Sequence, residues 1–270
     1  MFLSDNQSKI LRYPNPTGLL STYREGQMLG EIWGYETIGI AKTQEEMDNH
    51  LATLPKGGQT SLGSRWEAGD IMYRDINGDE KIDDGTNTID NHGDLKIIGN
   101  SHPRYNFSFD INAGWKGFDF RAFFQGVLKR DYFQNSYYFW GAERNVWWSN
   151  ALVENLDYFR SDPEHPLGVN LDSYYPRPLF GWGKNKETQT RYLQNASYLR
   201  LKNLQIGYTL PKSFTEKIFI ENFRIFLSGE NLCTGTKMIT IFDPETIEGG
   251  FGGNVYPLTK TYAIGVSLNF

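Results

Sequence analysis

The sequence predicts an all-β chain, an antiparallel segment of a transmembrane β-barrel with long extracellular loops. Three observations predict it. In residues 261–270, Tyr262, Ile264, Val266, Leu268 and Phe270 alternate with Ala263, Gly265, Ser267 and Asn269. Such a strand is apolar on one face and small or polar on the other, and here it ends on an aromatic, as the closing strand of an outer-membrane barrel does. Mid-chain, Tyr105, Phe107, Phe109 and Ile111 alternate with Asn106, Ser108, Asp110 and Asn112; beyond a turn at 114–117, Phe118, Phe120, Ala122 and Phe124 alternate with Asp119, Arg121, Phe123 and Gln125. Each arm of this hairpin has the roughly 9–11 residues that a tilted strand needs to cross a bilayer. The composition agrees, because 15% aromatics and 28 glycines in 270 residues favour strands and turns over helices.

The remaining elements follow in order. A strand is expected around 29–40, feeding a long external segment at 42–104. A third clear strand covers 198–208, with Leu199 and Leu201 in one phase and Leu204, Ile206 and Tyr208 in the other; the phase slip near Asn203 predicts a β-bulge. Pro211 and Lys212 mark a turn, and Phe223, Ile225 and Leu227 begin a fourth strand. The connections then alternate short (114–117), very long (130–197), short (209–221) and long (232–260). Barrels of the outer membrane have short periplasmic turns and long extracellular loops, which puts 42–104, 130–197 and 232–260 outside. Trp115, Tyr198, Tyr208, Tyr262 and Phe270 fall near strand ends, where aromatic girdles belong. Five or six strands cannot close a barrel, which takes at least about eight, so the sequence reads as one portion, 1–270, of a longer barrel whose earlier strands lie elsewhere. A soluble β-sandwich would show the same alternation but seldom needs so long an excursion between neighbouring strands.

Several classes are disfavoured. The net charge of −5 comes without a Lys/Arg cluster, so nucleic acid is not an expected partner. A single cysteine, Cys233, excludes an internal disulfide and a cysteine-rich zinc site. No run approaches the roughly 18 apolar residues of a membrane helix, which leaves barrel strands untouched. The first residues lack a basic stretch followed by an apolar one and so do not read as a signal peptide. His50, His92, His102 and His165 fall in expected loops without metal-ligand spacing, and no nucleophile signature appears.

Specific strings carry a family resemblance. GDIMYRDINGDEKIDD at 69–84, IGNSHPRY at 98–105, GFDF at 117–120, FFQG at 123–126, YPR at 175–177, SYLRLKN at 197–203 and IGYTLP at 206–211, with Glu25-Gly26, Gly34-Tyr35 and Gly39-Ile40 upstream, resemble the C-terminal part of SusC/RagA-type TonB-linked outer-membrane transporters. The resemblance implies a place in the Gram-negative outer membrane and contact with its lipids. It also implies a plug and TonB box in the missing N-terminal part, a SusD-like surface lipoprotein as partner, and a glycan, oligosaccharide or peptide as cargo.

Two groups of residues are candidate sites. Asp75, Asn77, Asp79, Lys81 (through its carbonyl) and Asp83 reproduce the early ligand spacing of a calcium loop. The sixth and twelfth positions depart from that template, being Glu80 and Thr86; the same residues also suit an acidic turn in which Asp and Asn hold local amides. Trp140, Trp147, Trp148 and Tyr138, beside Tyr137 and Phe139, offer flat faces to a sugar or a partner, or pack the loop on itself. A secreted, calcium-stabilised carbohydrate-binding β module is the alternative built on these two groups.

Overall fold

The structure, a computed structural model, describes all residues except 142–150, 181–182, 250–254 and 257. In chain order the strands are β1 (Phe2–Ser4), β2 (Glu31–Gly34), β3 (Thr37–Ile40), β4 (Ile71–Tyr73), β5 (Lys96–Asn100), β6 (Arg104–Trp115), β7 (Phe118–Lys129), β8 (Asp131–Phe133), β9 (Leu193–Asn195), β10 (Tyr198–Thr209), β11 (Asn222–Thr236) and β12 (Thr261–Asn269). Helices are short: α1 (Gln44–Ala52), α2 (Tyr137–Trp140) and α3 (Lys212–Thr215). The chain divides into two compact units, one of 1–6, 103–130 and 195–270, the other of 7–102 and 131–194.

The first unit is one antiparallel sheet in the order β1-β6-β7-β10-β11-β12. Its register sorts the side chains by chemistry. Phe120, Ile206, Leu227 and Ile264 stand directly opposite one another across four strands, as do Phe118, Tyr208, Ile225 and Val266. Residues opposite one another share a face, so this face is a continuous apolar surface, and much of it is bare: Leu227 is 57% exposed, Val266 55% and Ile264 74%. The other face carries Asn112, Arg121, Gln205 and Ser228 in one row, and it is tied by ion pairs of Arg121 with Asp110 (2.7 Å), Arg224 with Asp119 (2.8 Å) and Arg200 with Glu245 (2.6 Å).

The expected bulge lies in β10. Against β7, Lys202 is an extra residue between Leu201 and Asn203; against β11, Asn231 and Leu232 together face it, with Asn231 at φ 52. The extra residue resets the phase, so that Leu199, Leu201, Leu204 and Ile206 all stay on the apolar face although their sequence spacing changes. Lys202 joins Arg200 in reaching Glu245, at 3.0 Å. The β6–β7 turn is tighter than expected, only Lys116 and Gly117, with φ 49 and 87, the two positive values of a type I′ hairpin turn. Among the described residues the outer edges of the sheet, at β1 and β12, are unpaired, and the sheet does not close.

The second unit holds what the strand pattern leaves as loops. The expected strand at 29–40 is instead two short ones, β2 and β3, which pair separately with β5 and β4 and take no part in the large sheet. The break between them lies at Tyr35, whose N–H donates to the Thr188 carbonyl (2.8 Å) and whose carbonyl accepts from Thr190 (3.1 Å). Gly34 abuts the same carbonyl so closely that a Cβ there would lie 2.5 Å from it. Helix α1 was not expected either; Thr43 caps it by accepting from the Glu46 amide at 3.1 Å, and Met47 is its buried anchor. His50 therefore lies on a helix, its ring 3.2 Å from the Gln59 side-chain oxygen. The core is aromatic, with Tyr35, Trp66, Tyr73, Phe139, Tyr175 and Tyr192 all buried.

Candidate functional site

The most heavily bonded side chain of the second unit is Asp70, fully buried just before β4. Its two oxygens accept from Arg177 Nε (2.7 Å) and Nη2 (2.9 Å), Lys184 Nζ (2.7 Å), Asn185 Nδ2 (2.9 Å) and the Glu67 amide (2.9 Å). Burial alone would raise its pKa, yet the bonds from Arg177, Lys184 and Asn185 outweigh that and hold the carboxyl below the ordinary aspartate range. Lys184, buried beside it, is pushed down by desolvation; its ammonium also donates to the Arg65 carbonyl (2.7 Å) and lies 4.5 Å from the Trp66 ring centre. A buried charge this well paired is a clamp between segments. Two of the quoted strings meet here, Asp70 of GDIMYRD and Arg177 of YPR, although the sequence gives neither a partner.

The acidic turn at 75–83 is bonded mainly to itself. Asp75 accepts from the amides of Gly78 (2.6 Å) and Glu80 (2.9 Å), Asn77 from Asp79 (2.9 Å), and Asp83 from Gly85 (2.9 Å). Asp94, buried behind the turn, accepts from Ile76 (2.7 Å) and Asp83 (2.9 Å), and burial raises its pKa despite those amides. Lys81 turns its ammonium onto Asp83 and lies 3.6 Å from Asp79. Among the described residues no three His, Cys, Asp or Glu side chains gather as a metal set would. The backbone follows the calcium-loop template at one point: Glu80, in the sixth position, has φ 65, the left-handed region for which that template uses glycine.

Trp140 and Phe139, on α2, are packed inward. Phe139 is 0% and Trp140 6% exposed, and their rings meet Tyr175 and Tyr192 at centre distances of 4.8 to 6.3 Å. Trp140 therefore presents no open face to a partner, and its indole N–H has no hydrogen-bond partner among the described residues. One edge of it helps line a cavity of about 250 Å³ with Leu156, Tyr175, Pro176, Leu179 and Phe180. Tyr138 is half-buried and packs on Tyr137, 4.3 Å between ring centres. Trp147 and Trp148 lie outside the described residues. Of the expected girdle, Trp115, Tyr262 and Phe270 are exposed at strand ends, whereas Tyr198 is buried, on the face that carries Arg200.

No family model matches the chain. Among curated proteins it is similar to TonB-dependent receptor P3 of Formosa agariphila, 27% identical over 258 residues, which cover 92% of this chain and 23% of the relative. TonB-dependent receptor P26 of the same organism is 24% identical, over 91% of this chain and 23% of its own length. Among solved structures, the RagAB peptide transporter superposes with a TM-score of 0.60 and 25% identity over 98% of this chain and 25% of that one. The chain is related to the SusC/RagA-type TonB-dependent receptors. It spans about a quarter of the length of the curated relatives it matches. A second RagAB structure, of the peptide importer in the closed-closed state, repeats the fold with a TM-score of 0.57 at 24% identity. These relatives are receptors and transporters rather than enzymes, and the chain shares their location in the outer membrane.

Proposed function

We propose that this chain is the C-terminal barrel portion of a SusC-like, TonB-dependent outer-membrane transporter that imports glycans, oligosaccharides or peptides together with a SusD-like lipoprotein. The apolar face of the six-stranded sheet then meets lipid, the face bearing Arg121, Arg224 and Arg200 lines the lumen, and the connections 42–104, 130–197 and 232–260 face outside. Strands β6, β7 and β10 have 12 residues each, enough to cross a bilayer when tilted. The observation that carries this reading is the sorting of side chains onto one apolar and one ion-paired polar face across the whole sheet. In a soluble protein so large a bare apolar face would be an aggregation site. Plug, TonB contact and further strands would come from the rest of the receptor.

The test is to delete the gene for the whole receptor and measure growth and uptake on pooled glycans and on pooled peptides. Loss of uptake of one pool, restored only by a receptor containing residues 1–270, supports the reading; unchanged uptake of both removes it. The calcium reading of the 75–83 turn rests on its spacing and on the left-handed Glu80. Titration calorimetry with Ca²⁺ decides it: one site, lost in Asp79→Asn, supports calcium, and no heat leaves a turn capped by its own amides.

A further inference from the structure

The cavity beside Trp140, about 250 Å³ in volume, grades from a buried end to an exposed one. Trp140, Tyr175 and Pro176 wall the buried end, while Arg177, Phe180 and Lys186 stand nearer the surface. Two polar groups of the buried end, the Trp140 indole N–H and the Tyr175 hydroxyl, have no hydrogen-bond partner among the described residues. Their side chains belong to residues only 6% and 4% exposed, and such groups ordinarily find a partner when buried. Asn155, also in the lining, is committed elsewhere: its amide donates to the Phe139 carbonyl (2.8 Å) and its oxygen accepts from the Leu152 amide (2.8 Å).

The charge of the exposed end is a separate observation. Among the described lining residues the charged ones are Arg177 and Lys186, with no acid. A neighbouring cavity shares Arg177 and Leu179 and adds Arg65, Lys184 and Glu67. Asp70 and Glu67 answer Arg177 and Lys184, whereas the Arg65 side chain has no ion pair among the described residues. A cleft lined by one sign of charge draws the opposite sign, so this end favours an anion.

We infer that the cavity binds a small phenolic acid, its ring against the apolar wall, its hydroxyl on Trp140 and Tyr175 at the buried end, and its carboxylate toward Arg177, Lys186 and Arg65. An apolar cavity of about 150 Å³ holds benzene, so this one has room for a ring and a short chain. An indole N–H only donates, while a hydroxyl both donates and accepts, so one ligand oxygen serves both unpartnered groups. A neutral hydroxyl suits the buried end, where an ionised group would lie among aromatic and proline walls without a counter-charge. Both protein atoms are closed to water, so their rings turn toward the ligand as it enters. The source of the group is a free phenolic acid or a tyrosine at the C-terminus of a peptide. The inference concerns binding and stands whether or not the receptor transports what it binds.

The experiment is titration calorimetry of the full-length, detergent-solubilised receptor with para-hydroxyphenylpropionate, phenylpropionate, para-hydroxyphenylpropionamide and N-acetyltyrosine. The hydroxylated acid should bind at least about fivefold more tightly than phenylpropionate, which lacks the hydroxyl, and than the amide, which lacks the charge, the effect of one hydrogen bond each. The double variant Trp140→Phe, Tyr175→Phe keeps the wall and removes both polar groups; it should bring the hydroxylated acid and phenylpropionate within about twofold. Arg65→Gln with Lys186→Gln should do the same for acid and amide. N-acetyltyrosine binding as tightly as the hydroxylated acid would assign the site to peptide ends, and weaker binding to free phenolic acids; either supports it. No binding of the hydroxylated acid, binding no tighter than that of either analogue, or a hydroxyl preference that survives the double variant overturns it. The comparison among ligands on the unaltered receptor decides the matter even where a variant fails to fold.

Discussion

At the residue scale, Asp70 shows how a side chain can matter more than its sequence context reveals. With Lys184 buried beside it and Arg177 on both oxygens, replacing it by Ala leaves buried Lys184 without its anion and Arg177 with Glu67 alone, a loss of about 3–5 kcal/mol for a buried pair. Asp70→Ala should therefore open the second unit to limited proteolysis while the strands of the sheet stay protected. The pH dependence has a definite sign. The folded carboxyl titrates below its ordinary value, so its contribution is complete above about pH 4 and is lost as pH falls through the lower, folded pKa. Protease protection of the second unit should be flat from pH 7 to about 5 and collapse in stronger acid, and Asp70→Asn should remove that step. The string containing Asp70 was visible, but its partner is not readable, because Arg177 lies 107 residues away and no periodicity links them.

At the element scale, legibility follows periodicity. The strands β6, β7, β10, β11 and β12 were visible because an apolar face against a polar one enforces a period of two over nine or more residues. Their ends were less so: β11 runs on to Thr236, through Gly229, Asn231 and Gly235, where alternation fades. β2 and β3, with four residues each, are too short to show a phase of their own, and together they mimic one strand. Helix α1 announces itself only by Thr43 and Glu46, three residues apart as in a capping box, in a sequence otherwise polar. The bulge in β10 was legible as a slip of phase, and it yields a prediction. Deleting Lys202 removes the reset, so the stretch from Asn203 to Thr209 must either carry Leu204 and Ile206 to the polar face or break its ladder. The deletion should abolish receptor in the outer-membrane fraction, whereas Lys202→Ala, which keeps the count and loses only the contact to Glu245, should leave its amount within about twofold.

At the scale of the whole molecule, the sheet ends in two unpaired edges and presents one bare apolar face. Unpaired edges template further pairing. The chain expressed alone should accumulate as aggregate or require detergent, and should lack the heat-modifiable migration of a closed barrel on gels; joined to the remainder of the receptor it should acquire that migration. Free solubility of the isolated chain as a monomer would instead favour the carbohydrate-binding module. That architecture was readable from five strands, but the second unit was not: its core is made of Tyr35, Tyr73, Phe139 and Tyr192 drawn from irregular segments, where burial leaves no repeating mark.

The clamp at Asp70 also sets a schedule. The second unit is assembled from 7–102 and 131–194, with the β6–β7 hairpin between them in the chain. A polypeptide delivered from its N-terminus has made Asp70 and Tyr35 long before Arg177, Lys184 and Thr188 exist to receive them. The first stretch must therefore wait, with its carboxylate hydrated and its aromatic rings uncovered, and such late, long-range closure makes folding slow. Residues 7–102 are thus the part of a nascent chain most in need of a holding chaperone, and the segment where a protease pulse should cut until the last part of 131–194 has arrived.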